Sequence, residues 1–389
     1  MKLELDTVLL VLTAASWVYW VVAWWSTRSF FRTSQDFAYT FTPPVSILKA
    51  VKGLDAQAYE NFASFCRQDY PQFEILFGVL DPADPVVAVI KQQQRDFPQH
   101  SIRLIVAQPL GLNRKASILH HLVMQAQHEV LAISDSDMRV TPDYLQRVVA
   151  PLADRSVGFV NCLYRGAEPL TLTARLEALY MGATFLPSVV VAQWLINLRS
   201  GMGATIVLRR GDLQRMGGFA AISDYLADDY EVGARIGALG LRGHLSNYVV
   251  ASVLGHTTFP DQWGREVRWM KCTRVSRPTE YPGLILTFST PLALATAMAM
   301  GFSPLGQRVI VVSLLVRWLA AWFVTGYTGD RVVRHYLLWL PVRDMLTFGV
   351  WCAAAVGRRV VWRGEAFEIR GDGQLQSLEV ELPVTSVPR

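Results

Sequence analysis

Val130-Leu-Ala-Ile-Ser-Asp135-Ser-Asp137 decides the fold class. A short apolar run bounded by a polar turn reads as a fully buried strand, and here two carboxylates follow directly on its carboxyl end. Open α/β sheets bind ligands in the crevice beyond the carboxyl ends of their strands. An extended segment that ends in a turn at this point aims one carboxylate at a metal ion and the other at a ribose or sugar hydroxyl. A D-x-D triplet by itself is also an ordinary surface turn or helix cap; its place after an apolar strand favours the functional reading.

The same pattern continues outward on both sides. Apolar runs over residues 45–48, 73–80 and 102–106 alternate with helical patterns over 56–67, 85–97 and 115–126, which predicts an α/β sheet whose first half binds a nucleotide. Asp81-Pro82 follows the second run as Asp135 follows the fourth. Lys115, in Gly111-Leu-Asn-Arg-Lys115, begins a helix, where its charge opposes the helix dipole; a bound phosphate relieves that, and so does plain solvation. Gly201-Met-Gly203-Ala-Thr205, before the apolar run 206–208, suits a backbone that approaches a ligand closely and equally a loop entering a strand.

A second acidic pair, Asp228-Asp229-Tyr230, precedes the helical stretch 231–239. Helix capping accounts for one carboxylate. The other, downstream of Gly217-Gly218-Phe219, fits a base held for proton transfer. Arg265, Arg268 and Trp269 stand at i, i+3 and i+4 and share one helix face. Two guanidiniums on one face suit a diphosphate, although Arg274 and Arg277 extend the basic run in a way that also suits lipid headgroups. His244 and His256 have no metal-like spacing.

At 51% hydrophobic and 18% charged, the 389 residues are too apolar for one soluble domain and too polar for a polytopic transporter, so a soluble unit with membrane segments is expected. A net charge of +5 without a basic stripe and interleaved aromatics argues against nucleic acid as a partner. Cys66, Cys162, Cys272 and Cys352 are too scattered for a zinc site or a disulfide framework, which points to a reducing compartment.

Residues 7–25 are uncharged, about long enough to cross a hydrocarbon core of roughly 30 Å, and lack a cleavage site, so residues 1–27 read as a transmembrane anchor. Arg28 and Arg32 then place the following domain, 43–278, in the cytoplasm. Membrane segments are expected at 284–302, 309–327 and 336–356. The last is the weakest, since it carries Pro341, Arg343 and Asp344, ionisable groups that are costly at that depth unless paired or functional; one of these segments is expected not to cross fully. The run 179–198 is also long and apolar, but a crossing there would part Asp137 from Asp229. It is expected to lie at the interface or to wall an acceptor pocket, with Pro187 breaking or kinking it; the alternative is an ordinary buried helix of the soluble domain. In the tail, 357–389, Arg358, Arg359 and Arg363 are basic, and 362–373 reads as a hairpin about a Gly-Asp-Gly turn.

Val45-Ser-Ile-Leu-Lys49 through Lys52-Gly53, Phe65-Cys-Arg-Gln-Asp-Tyr-Pro71, Asp81 with Asp84-Pro85, Asp135-Ser-Asp137, Ala227-Asp-Asp229-Tyr230 and Arg265-x-x-Arg268-Trp269 together resemble the ceramide glucosyltransferase family, and bacterial hopanoid glycosyltransferases are similar. The resemblance implies a GT-A domain, Rossmann-like and nucleotide-sugar-binding, between an amino-terminal transmembrane helix and carboxy-terminal transmembrane or interfacial helices. It further implies a UDP-sugar donor, a divalent metal (Mg2+ or Mn2+), a membrane-lipid acceptor and a multi-pass protein, of the bacterial inner membrane by likeness to the bacterial relatives, with its catalytic domain in the cytoplasm. By resemblance Asp229 would be the catalytic base, Asp135 and Asp137 the metal ligands and donor contacts, and Asp81 a contact to the uridine. Lys49 and Lys115 would join the donor site, and Arg265, Arg268 and Trp269 would hold the diphosphate. Where processive polysaccharide synthases of the superfamily carry Gln-x-x-Arg-Trp, this chain has Arg265, with Gln262 out of register, which favours single transfer over the alternative of a synthase. Residues 184–190 lack the histidine of the animal ceramide enzymes, so ceramide, a hopanoid or another lipid alcohol stands open as acceptor. A non-catalytic nucleotide-sugar sensor is the remaining alternative, and such a sensor has no use for Asp229.

Overall fold

The computed structural model describes residues 2–33, 39–196, 201–362 and 365–378. The end of the apolar run 179–198, Arg363, Gly364 and the tail beyond residue 378 lie outside them. Eight strands form the main sheet: β1 Val45–Ala50, β2 Phe73–Val79, β3 Ser101–Val106, β4 Val130–Ile133, β5 Met138–Arg139, β6 Val157–Pro169, β7 Ile206–Arg209 and β8 Arg242–Gly255. Their order is β3-β2-β1-β4-β7-β6-β8-β5. The first four are parallel, joined by crossover helices Ala58–Cys66, Val86–Asp96 and Arg114–Gln125, as the alternation of apolar and helical runs predicts. β7 turns antiparallel to both β4 and β6. The whole is a mixed α/β fold of the GT-A type.

β1 is apolar at nearly every position because it is covered on both faces. Successive side chains point to opposite sides: Val45 and Ile47 pack with Phe62, Phe65, Ile75 and Phe77, and Leu48 packs with Leu76, Ile118 and Leu122. A fully buried strand of this kind reads as a continuous apolar run. β6 and β8 pair in parallel over their length with two irregularities in register. They carry the sheet toward the apolar helices, where Leu163 and Leu245 pack with Leu186, Val190 and Val324.

Among the described residues, four helical segments, Glu4–Arg32, Leu172–Ile196, Pro304–Thr328 and Arg331–Ala355, are long and apolar enough to cross a membrane. The expected segment 284–302 is instead a bent pair, Tyr281–Thr287 and Ser289–Ala299, at 76°. The break therefore falls in the first carboxy-terminal segment and not in the last, the one the sequence marks as weakest. The reason is pairing: Arg343 (0% exposed) meets Glu266, and Asp344 (3%) meets Arg317 (1%), so neither buried charge is left alone.

In the run 172–196, Pro187 does not end the helix. A π turn, Met181–Phe185, precedes it, and the helix resumes as Leu186–Ile196. Proline has no N–H to donate to the carbonyl of Ala183 four residues back; Arg317 Nη1 donates to that oxygen at 3.0 Å and Nη2 to Thr184 Oγ1 at 2.7 Å. A carboxy-terminal sheet completes the fold: β9 Arg359–Trp362, β10 Glu365–Ile369 and β11 Leu375–Ser377, in order β11-β10-β9. The expected Gly371-Asp372-Gly373 turn joins β10 to β11, with Gly373 at φ +90°.

Candidate active site

The turns after β1, β2 and β4 open into a cavity of about 900 Å³ whose walls also include the helix Phe259–Ser276 and the start of the helix Asp228–Ala238. Asp81, Lys115, Asp135, Asp137, Asp229, Arg265, Arg268 and Trp269 all line it.

Gly203 joins the two acidic motifs. Its N–H donates to Asp229 Oδ2 at 3.0 Å, its carbonyl accepts from Asp135 N at 3.3 Å, and a Cβ placed on it would lie 2.6 Å from Asp135 Oδ2 and 3.0 Å from Lys115 Nζ. The close approach expected of this glycine segment is thus to the two carboxylates themselves. Gly203→Ala should lower kcat/KM at least tenfold by pushing Asp135 and Lys115 aside, with a near wild-type circular-dichroism spectrum; unchanged kinetics would show that the packing is looser than this geometry.

Lys115 Nζ sits 2.6 Å from Asp135 Oδ1 and 3.7 Å from Asp228 Oδ2. Burial alone would lower its pKa, but Asp135, Asp228 and Asp229 outweigh that and hold it above the ordinary lysine value. Lys115 is therefore not idle; its charge offsets that of the three carboxylates of Asp135, Asp228 and Asp229 around it. Asn113 orders this corner, capping the helix Arg114–Gln125 through Ala116 N and donating to Tyr225 O and Asp228 Oδ1. As an N-cap asparagine it carries a sequence signal, although its second role has none.

Asp229 does not cap its own helix. Ala227 is the N-cap, without a side-chain bond, and Asp229 accepts from Gly203 N and from Tyr230 N at 2.8 Å. Burial, then the neighbouring Asp228, raises its pKa to about 6, with Lys115 opposing. Asp137 accepts from Ser252 Oγ at 2.8 Å, and burial with Asp135 and Asp55 close by raises its pKa to about 6. Neither Asp55, which accepts from Ser136 Oγ, nor Ser252 is signalled by a motif.

Lys49 differs from its expected place. It is fully buried and does not line the cavity; its ammonium lies 3.6 Å over the Phe65 ring and donates to the Asp135 carbonyl at 2.9 Å. Burial lowers its pKa to about 7 against the pull of Asp135, Asp137 and Asp55. Lys49 thus holds the acidic turn from beneath and is not part of the cavity lining. Asp81 lines the cavity and accepts from Ala83 N, while Asp84 accepts from Gly53 N with both oxygens and so fixes the Lys52-Gly53 turn.

Arg265, Arg268 and Trp269 share the cavity face of their helix, and Cys272, Thr273 and Ser276 continue it. Arg265 is engaged bidentately by Glu177, at 2.9 and 2.6 Å, a partner from the run 172–196 that the sequence does not signal. Arg268 stacks over Trp362 at 5.4 Å. Arg274 is turned away to the carbonyls of Ala355 and Gly357.

Among the described residues no three His, Cys, Asp or Glu side chains are grouped to hold a metal ion. Two carboxylates, Asp135 and Asp137, remain. Mg2+-type ions commonly take one or two protein carboxylates and complete their shell with substrate phosphates and water. Burial first, and then the charges of Asp135 and Asp55, raise Asp137; a cation would relieve the crowded charge, so this donor set fits a metal that arrives with a diphosphate.

The model of the family described as Glycosyl transferase family 21 matches residues 8–375. Ceramide glucosyltransferase 1 of Caenorhabditis elegans is 21% identical over 348 residues, covering 86% of this chain and 73% of the relative. A ceramide glucosyltransferase of Komagataella phaffii is 21% identical over 480 residues, covering 95% and 92%. Among solved structures, a mannosyltransferase from Pyrobaculum calidifontis in complex with GDP-Man and Mn2+ superposes with a TM-score of 0.55 at 18% identity, over 90% of this chain and 97% of that one. The chain is a glycosyltransferase and belongs to glycosyltransferase family 21.

Proposed function

We propose that the protein transfers a hexose from a UDP-sugar to a hydroxyl of a membrane lipid, with inversion, from a site on the cytoplasmic side. The observation that carries this reading is the joining of Asp135 and Asp229 through Gly203 in one cavity. Asp229 accepts the hydroxyl proton as the lipid oxygen attacks the anomeric carbon; the bond from that carbon to the diphosphate breaks and UDP departs. A single displacement inverts the centre. Lys115, Arg265 and Arg268 bear on the departing diphosphate, and preorganised charge of this kind is effective in a water-poor site. A divalent metal held by Asp135 and Asp137 would neutralise charge on that diphosphate.

The lipid acceptor is supported by the less polar part of the cavity lining, which includes Tyr164, Tyr180, Met181, Phe185, Val189 and Met202. Four of these, Tyr180, Met181, Phe185 and Val189, belong to the run 172–196, which packs against the membrane-length helix Pro304–Thr328. The relatives support ceramide as acceptor and glucose as the sugar.

Purified protein in detergent should release UDP from UDP-glucose only when ceramide or a hopanoid alcohol and Mg2+ or Mn2+ are all present. Release that survives chelation would remove the metal, and release without lipid would remove the acceptor. At saturating metal, kcat/KM should fall below about pH 6, where the Asp229 carboxyl is protonated and cannot take a proton. A flat profile down to pH 5 would assign the base elsewhere.

A further inference from the structure

The carboxy-terminal sheet contains none of the acidic or arginine motifs, yet it faces the cavity. Trp362, Glu365 and Phe367 line it. The sheet is fastened at both sides of the opening. On one side β11 and its preceding turn bond the segment that leads into Asp228-Asp229: Leu226 N donates to Gly373 O at 3.2 Å and Leu375 N to Asp224 O at 2.6 Å. On the other, Lys271 Nζ of the helix Phe259–Ser276 donates to Arg359 O at 2.7 Å. Between them Leu226, Val360, Phe367, Ile369 and Leu375 form a buried cluster against which Leu112 and Cys272 pack. The exposed pair Arg114–Glu365, at 3.4 Å, adds little to this attachment; main-chain bonds and apolar burial carry it.

Trp362 is the element of this wall that meets the chemistry. The Arg268 guanidinium lies over its ring at 5.4 Å. A planar cation resting on an aromatic face is held by the ring quadrupole, which fixes the plane of the guanidinium.

We propose that the carboxy-terminal sheet is the outer wall of the sugar-donor end of the cavity and that Trp362 is a positioning residue, setting the Arg268 guanidinium for the diphosphate of the nucleotide. The proposal rests on the reading of the cavity as a UDP-sugar site. Trp362→Leu keeps apolar volume against the cluster and removes the aromatic face, and Trp362→Phe restores a ring.

The test is calorimetric titration of the full chain in detergent with UDP and Mn2+, using wild type, Trp362→Leu, Trp362→Phe, Arg268→Ala and the double variant Arg268→Ala/Trp362→Leu. The UDP dissociation constant should rise about threefold to tenfold in Trp362→Leu, the range of a cation–π contact, and return to within about twofold in Trp362→Phe. The double variant should bind no more weakly than Arg268→Ala alone, because Trp362 acts through the arginine. UDP binding that Trp362→Leu leaves unchanged, or losses that multiply in the double variant, would overturn the proposal alone. Absence of UDP binding by wild type would overturn the donor-site reading and the proposal with it.

Discussion

Asp229→Asn is expected to cost transfer about 10²- to 10⁴-fold, the range for loss of a general base, while UDP and metal bind within a few-fold of wild type. The side chain keeps its size and one acceptor oxygen. What it loses is the capacity to take a proton, together with one of the two backbone bonds, since Gly203 N and Tyr230 N each need an acceptor. The orphaned N–H costs about 1–3 kcal/mol of stability, which a thermal melt separates from the catalytic loss. Turnover near the wild-type rate in Asp229→Asn, with nucleotide binding intact, would reassign the base.

Glu266→Ala should be the most destabilising single change on the membrane side. Three ion pairs run in succession from the cavity wall into the apolar helices: Glu177–Arg265, then Glu266–Arg343, then Asp344–Arg317. Residues 265 and 266 are neighbours, as are 343 and 344, so each step hands over along one helix. Removing Glu266 takes both carboxylate acceptors from the buried Arg343 guanidinium and leaves it the Thr347 hydroxyl and the Tyr180 ring. An uncompensated buried charge costs about 3–5 kcal/mol. Arg343→Met in the same background removes the charge and should recover most of the loss, because a well-packed apolar pair is often as stable as the ion pair it replaces. The check is the Tm of wild type and the two variants in detergent; a Glu266→Ala protein as stable as wild type would mean that Arg343 finds water, and the helix packing would be wrong at that point.

The first half of the fold was readable because a parallel sheet covered on both faces writes itself as apolar runs punctuated by polar turns. β1 to β4 and their three crossover helices fall within about two residues of the expected bounds. β6 and β8 were not readable for a related reason: Asn161, Tyr164, Arg165, His244, Ser246 and Asn247 interrupt their apolar pattern where one face turns toward the site and the helices, and the register shifts break the period of two. The acidic and arginine motifs reached the cavity as expected, since each stands at the end of an element whose direction the sheet sets. Lys49 did not, because a lysine in the middle of an apolar strand looks the same in sequence whether its ammonium faces a ligand or a backbone carbonyl. Glu177, Glu266, Arg317 and Trp362 were silent as well; each acquires its role from a partner more than 25 positions away. The paired charges of the last segment explain why Arg343 and Asp344 looked like a reason against a membrane helix and proved to be ties between helices.

The most direct test is lipid mass spectrometry of a host expressing wild type, Asp137→Ala or Asp229→Asn at matched protein levels. Cells with wild type should contain a new lipid heavier than its parent by one hexose, and that species should be missing from both variants. The same glycolipid at wild-type abundance in Asp229→Asn cells, or a ladder of products with rising sugar number in wild type, would contradict a single transfer carried out jointly by the two acidic motifs.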